Sequence, residues 1–387
     1  MAQDPIVIIG AGQAGAQAAQ SLRANGYDGD LVMLGAEPHA PYQRPPLSKK
    51  YLSGDVSAEN LALRPPAFYE TNRIDLIAGA EATHIDPAGR RVETIAGQTI
   101  AYSKLLIATG TRARPLPLPG HDLDGVLTLR TIRDVDTLRP AFAPGARLVI
   151  VGGGYIGLEV AAVARARGLD VTVLEGAPRV LARVVAPPVS RFYQDLHRAH
   201  GVDIRLDQHL AGFTGGDRVT GIALADGTTV AADLVLVAIG ALACDELATA
   251  SGLATRDGIA VDAFTRASAP DIFAAGDCTR FTSALYGRDI RLESVQNAID
   301  QAKAAAAAML DIAAEPYDPV PWFWSDQYDV KLQIAGLSQG HDRAVVDGDP
   351  ATASFSVSYY LGDRLLAVDA INRPRDHMLA RRSIGKA

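Results

Sequence analysis

Cysteine is nearly absent from this chain. Cys244 and Cys278 are alone among 387 residues, far apart and outside any CxxC or CxxxxC spacing. That excludes a disulfide framework, a cysteine-rich zinc site and a redox-active dithiol, and it suits a reducing compartment. A basic excess is lacking too: 37 Lys and Arg against 44 Asp and Glu leave a formal charge of −7, the wrong balance for a nucleic-acid binder. No apolar run is long enough to span a bilayer. None of the eight histidines falls in a metal-binding pattern. His197 and His200, in "HRAH", share a helix face without a third ligand nearby, and a solvated face is expected there. No serine nucleophile elbow occurs. The opening "MAQDPIVIIG" enters a strand almost at once and leaves no room for a signal peptide, so the cytoplasm is the expected location.

What is present is glycine in a repeated pattern. "PIVIIGAGQAGAQAAQSLRANGYDGDLVMLGAE" reads as a buried strand, a glycine turn, an amphipathic helix and a second strand. The same events recur in "RLVIVGGGYIGLEVAAVARARGLDVTVLEG". The echo extends downstream, where "AGQTIAYSKLLIATG" is matched by "DGTTVAADLVLVAIG", each a hairpin followed by an apolar strand ending in Ala-x-Gly. A chance glycine repeat would not also repeat its hairpin and strand. The chain therefore reads as two copies of one nucleotide-binding unit, the second inserted into the first.

Gly10, Gly12 and Gly15 follow a strand and open a helix, as do Gly152, Gly154 and Gly157. In such a turn the first glycine allows the bend and the second lets backbone approach a pyrophosphate. The third permits close helix–strand packing at the positive end of the helix dipole. An acid after the second strand receives ribose hydroxyls; Glu37 and Glu175 are the candidates. Two dinucleotide sites imply two cofactors, and a flavin with a nicotinamide is the pairing that makes chemical sense. In "IFAAGD" a buried strand delivers Asp277 beside Gly276, where its carboxylate can bind the ribityl chain or pyrophosphate region of FAD. Glu175 favours NADH, because a 2′-phosphate would meet like charge; Arg179 and Arg183, just downstream, weaken that preference.

After Gly240 come a short strand to Ala275, an alanine-rich helix near Asn297 to Asp311, and from Tyr317 a third region of alternating segments. Gly362–Asp363 reads there as a hairpin turn. The expected fold is α/β: two Rossmann-like dinucleotide-binding domains plus a C-terminal α+β domain with an antiparallel sheet. The expected division gives 1–112 and 244–318 to FAD, 113–243 to NADH and 319–387 to the C-terminal domain.

"PYQRPPLSKKYLSG" fits neither helix nor strand and raises the idea of a rigid basic clamp over an anion. With "GGGYIGLEVAA", "APPVSRFYQDLHRAHGVDIR", "AAGDCTRF", "RLESVQNA" and "PWFWSDQ", it resembles the FAD-dependent pyridine-nucleotide oxidoreductases, in the ferredoxin-reductase branch that serves oxygenases. The resemblance covers nearly the whole chain. It implies electron flow from NADH through FAD to an acidic [2Fe–2S] ferredoxin. That carrier would feed a haem-thiolate monooxygenase or a Rieske-type dioxygenase. A rubredoxin reductase and an apoptosis-inducing-factor-like, redox-controlled interaction protein are the alternatives. A monomer is expected, with a dimer as the other option.

By the same resemblance, Ala14 and Gly15 lie on the FAD pyrophosphate turn, Arg44 and Lys49 face the flavin, and Ala82 contacts the adenine. Arg130, Asp277, Val295 and Trp322 also belong to FAD, with Thr109, Gly110 and Gly276. Tyr155, Ile156, Glu175, Arg183 and Gly240 join the second glycine turn at NADH. Glu159 contacts the nicotinamide and pairs with Lys49; these two are the catalytic candidates. The relatives usually carry their ribose acid at the position of Ala36, one residue before Glu37, so both are kept as candidates. The chain also ends earlier than many relatives, and contacts made by a longer tail are expected to be absent or replaced. A positive patch for the ferredoxin is expected among Arg364, Arg373, Arg375, Arg381, Arg382 and Lys386, with Trp324 between flavin and surface.

Overall fold

The computed structural model describes residues 4–313 and 315–385; Lys386 lies outside them. By its internal contacts the chain divides into two compact units. One comprises residues 1–43, 61–112 and 242–321, the other residues 44–60, 113–241 and 322–387.

The first unit is built on a parallel five-stranded sheet. Its order is Ile272–Ala274, Lys104–Ile107, Ile6–Ile9, Leu31–Gly35 and Ile74–Ala78. The apolar run Ile6–Ile9 is buried on both faces, as a central parallel strand must be. Ile6 and Ile8 pack with helices Gln13–Ala24 and Val295–Met309, while Val7 and Ile9 meet the core that includes Ile85, Val92 and Tyr102. Ala14, Ala18 and Ala19 share their cluster with Ala298, Ala302 and Ala305. These small side chains let the two helices approach closely. The hairpin expected at Gly97 joins strands Arg91–Thr94 and Thr99–Ala101.

The second unit repeats the plan. Its parallel sheet runs Asp203–Arg205, Asp170–Leu174, Arg147–Val151, Leu234–Val237 and Val126–Leu127. The repeat holds at the level of single hydrogen bonds. The Gly10 amide donates to Leu34 O and the Gly152 amide to Leu174 O, each at 2.8 Å; the Ala108 amide donates to Ile9 O as the Ala238 amide does to Val151 O.

The same unit contains an antiparallel sheet ordered Trp322–Gln327, Val330–Gly336, Arg364–Ile371, Ser354–Leu361 and Arg343–Asp349, followed by helix Pro374–Ser383. Leu361 pairs with Arg364 across the expected Gly362–Asp363 turn. Among the described residues no helix is long and apolar enough to cross a membrane.

Candidate functional site

At both glycine turns the backbone leaves no room for a side chain at the first and third glycine. Gly10 has φ +112°, and a Cβ there would sit 2.2 Å from Ala108 O; Gly152 has φ +107°, with Ala238 O at 2.5 Å. A Cβ on Gly15 would fall 1.9 Å from Gly10 O, and one on Gly157 2.2 Å from Gly152 O. Gly12 and Gly154 instead face open space. Each caps its helix without a side-chain hydrogen bond, and neither helix has an acid in its first turn. Backbone N–H groups at a positive helix end are thus left for an anion, which fits a dinucleotide pyrophosphate at both turns.

Around the first turn, Gly276 (φ +89°) packs against the Ala14 methyl, where a Cβ would come within 3.0 Å. Gln301, which the sequence alone did not single out, holds this corner: its Oε1 accepts from the Gly276 amide and the Thr279 hydroxyl, both at 2.8 Å. Asp277 follows, its Oδ2 3.4 Å from Thr111 Oγ1. Thr109 Oγ1 donates to Cys244 O, and Gly110 has φ +68°. Ala82 and Val295 are the first residues of strand Ala82–Asp86 and helix Val295–Met309.

Ala36 is exposed, whereas the Glu37 carboxylate accepts a 2.7 Å hydrogen bond from Tyr42 OH. The two candidate ribose acids do not occupy equivalent positions. Glu175 directly follows Leu174, the residue that pairs with Val151; the corresponding place after Leu34 is Gly35, and Glu37 comes two residues later.

At the second turn the Glu175 carboxylate folds back onto the backbone, accepting from the Gly153 amide at 2.7 Å and the Ala177 amide at 2.8 Å. Arg183 lies over Gly240, its guanidinium 3.2 Å from where a Cβ would stand. Arg179 is committed elsewhere, donating to Val185 O, Ala182 O and Ser190 Oγ. Ile156 points to the exposed side of its helix, and Tyr155 packs its ring 4.7 Å from Phe323.

The catalytic candidates meet. Pro45 and Pro46 start a single 3₁₀ turn, Pro45–Ser48, whose fixed φ angles suit that conformation. It delivers Lys49 Nζ to 2.7 Å from Glu159 Oε2, with Glu159 95% buried by its side chain's exposure of 5%. Ser48 Oγ donates to the same oxygen at 2.5 Å, and Ser325 Oγ donates to Oε1 at 2.6 Å. Both carboxylate oxygens therefore have a hydrogen-bond donor. Arg44 Nη1 donates to Arg130 O at 2.8 Å, and the Arg130 amide donates to Asp134, which also caps helix Ile132–Leu138. Trp322 is half-buried, with Arg381 stacked 4.7 Å above its ring.

Two expectations are corrected. His197 is wholly buried, not part of a solvated face: strand Trp322–Gln327 covers it, and Gln327 Oε1 lies 2.8 Å from its Nε2. Burial lowers its pKa to about 4. A signal was present, because Val189 and Tyr193 precede His197 at four-residue steps and are buried too. The basic patch is smaller than expected: Arg373 is paired with Asp347 and Asp376. Helix Pro374–Ser383 instead aligns Arg375, Met378, Leu379 and Arg382 on one exposed face, two of them large and apolar.

Two glycine cradles in sequence-related units, with a lysine–carboxylate pair beside the second, define a two-nucleotide oxidoreductase. Residues 4–302 match the pyridine nucleotide-disulphide oxidoreductase model, and residues 322–387 match the reductase C-terminal model. The chain belongs to the pyridine nucleotide-disulphide oxidoreductase family. It is similar to rhodocoxin reductase of Rhodococcus erythropolis, 45% identical over 97% of this chain and 88% of that one. Putidaredoxin reductase of Pseudomonas putida is also 45% identical, over 96% and 90%. Among solved structures, the covalent putidaredoxin reductase–putidaredoxin complex matches with a TM-score of 0.95 at 44% identity, covering 99% of this chain and 93% of that one.

Proposed function

We propose that this protein is an NADH-dependent flavoprotein reductase that passes single electrons to a [2Fe–2S] ferredoxin feeding an oxygenase. FAD, when bound, supplies the step between a two-electron donor and a one-electron acceptor. The first glycine turn is assigned to FAD and the second to NADH. Arg44, Ala82, Arg130, Asp277, Val295 and Trp322 are assigned to FAD on the family resemblance.

The observation that carries the reading is the ion pair between Lys49 and Glu159, the latter on the helix opened by the second turn. Its charges orient the nicotinamide and offset negative charge that builds up on reduction. The chain offers no dithiol as an alternative store: Cys244 and Cys278 are not joined in a disulfide and stand outside any CxxC or CxxxxC spacing, and burial pushes the Cys278 thiol up to about 11, holding it protonated. Electrons therefore leave to an external carrier. Two cysteines outside any disulfide also favour a reducing, cytoplasmic setting.

NADH is preferred over NADPH because the Glu175 carboxylate is pinned at the turn, while Arg179 has its donors engaged within its own loop. The exposed face of Arg375, Met378, Leu379 and Arg382 is the docking surface for an acidic ferredoxin. Rapid NADH-dependent reduction of cytochrome c only after a [2Fe–2S] ferredoxin is added supports this function. Equal reduction without the ferredoxin, or with rubredoxin alone substituting, contradicts it.

A further inference from the structure

Strand Trp322–Gln327 turns three alternate side chains toward two helices, and each finds one partner. Phe323 packs its ring against Tyr155, Ser325 bonds Glu159, and Gln327 bonds His197. The last two contacts are links of one chain. Ser325 Oγ lies 2.6 Å from Glu159 Oε1, Gln327 Nε2 lies 3.2 Å from Ser325 Oγ, and His197 Nε2 lies 2.8 Å from Gln327 Oε1. Tyr328 OH closes the line 3.3 Å from His197 Nδ1. Ser325, Gln327 and His197 are all buried.

The charge on Glu159 fixes the direction of every bond. A carboxylate only accepts, so Ser325 spends its single proton on Glu159. Toward Gln327 the serine oxygen can then only accept, which requires the amide nitrogen to face it. The amide oxygen is thereby turned to His197, whose Nε2 must carry the proton, leaving Nδ1 to accept from Tyr328. Reversing the Gln327 amide would let Ser325 donate to that oxygen instead and leave Glu159 Oε1 without its donor. A neutral imidazole protonated on Nε2 is what blocks the reversal.

We propose that His197 is a positioning residue for the redox site, acting through Gln327 and Ser325 to hold the Glu159 carboxylate in the orientation that also receives Lys49. This rests on reading Glu159 as the nicotinamide-side carboxylate. His197 touches neither nucleotide turn in this role; its effect is transmitted by hydrogen-bond direction alone.

The test uses the FAD-loaded protein and two readouts. Selective ¹⁵N-histidine NMR of the wild type should show His197 neutral and protonated on Nε2 at pH 7; an Nδ1-protonated or charged ring overturns the proposal. Anaerobic stopped-flow reduction at saturating NADH should be about tenfold slower in Ser325→Ala and in His197→Leu, the size expected for losing one hydrogen bond to a charged group. His197→Gln, whose amide nitrogen takes the place of Nε2, should keep the wild-type rate. The double variant His197→Leu with Ser325→Ala should be no slower than Ser325→Ala alone, because both break one line. Multiplying effects, or a His197→Gln variant as slow as His197→Leu, overturn it. If His197→Leu does not fold, the NMR signal and the His197→Gln rate still decide. Glu159→Gln separates the two layers: slow reduction there with a normal His197→Leu rejects only this chain. A wild-type rate in Glu159→Gln rejects the reading of Glu159 and the proposal with it.

Discussion

Lys49 Nζ and Glu159 Oε2 stand 2.7 Å apart, although a long stretch of sequence separates a proline-rich loop from a glycine-opened helix. The carboxylate is almost fully buried while the ammonium keeps 19% exposure. Such an ion pair is costly to desolvate and gains little for stability on its own. Ser48 and Ser325 each donate to the same carboxylate, so its orientation is fixed from three sides.

The glycine turns make separable predictions about the two nucleotides. Gly15→Ala puts a Cβ against Gly10 O and should abolish stoichiometric FAD, read as the flavin-to-protein absorbance ratio. Gly157→Ala makes the same clash against Gly152 O and should weaken NADH binding about tenfold or more while FAD remains bound. Normal NADH affinity in Gly157→Ala would contradict the assignment of the second turn.

Stability should depend on Asp369. It is fully buried, Tyr359 OH donates to its Oδ2, and burial raises its pKa from 3.8 to about 7. A carboxyl raised on folding stabilises the native state where both states are protonated, below about pH 4. That contribution is lost as pH rises toward 7, because the unfolded chain ionises first. Asp369→Asn should therefore flatten the fall in stability between about pH 4 and 7 and leave the variant more stable than wild type at pH 8. Urea denaturation across that range checks it; parallel pH profiles would contradict it.

Partner docking is tested by charge. Arg375→Glu with Arg382→Glu should slow ferredoxin reduction about tenfold at low ionic strength and leave NADH–ferricyanide activity unchanged. The wild-type ferredoxin rate should fall with salt, and the variant's should fall less. An unchanged ferredoxin rate in the variant moves the docking surface elsewhere.

The parts of this molecule readable from sequence are those encoded locally. Gly10-x-Gly12-x-x-Gly15 and its counterpart specify turn, cradle and packing within a few residues, and the duplicated hairpins announced the second unit. The Lys49–Glu159 contact was visible only through family resemblance, since nothing in either segment names the other. Ser325, Gln327 and Gln301 carry no signal in the sequence, because single polar residues in a strand or an alanine-rich helix look the same whether they face solvent or a buried partner. The HxxH spacing at His197 points to solvent, while Val189 and Tyr193 at four-residue steps place the same face inside. The candidate Glu37 is not the register counterpart of Glu175, since strand register puts Gly35 where the second unit carries its glutamate.

The account stands most directly on the rate at which NADH reduces the bound flavin under anaerobic conditions. Lys49→Ala and Glu159→Ala should each retain FAD and slow that step at saturating NADH by roughly tenfold to a hundredfold, the range for removing a preorganised charge from a reacting centre. Flavin reduction at the wild-type rate in both variants would contradict the central claim.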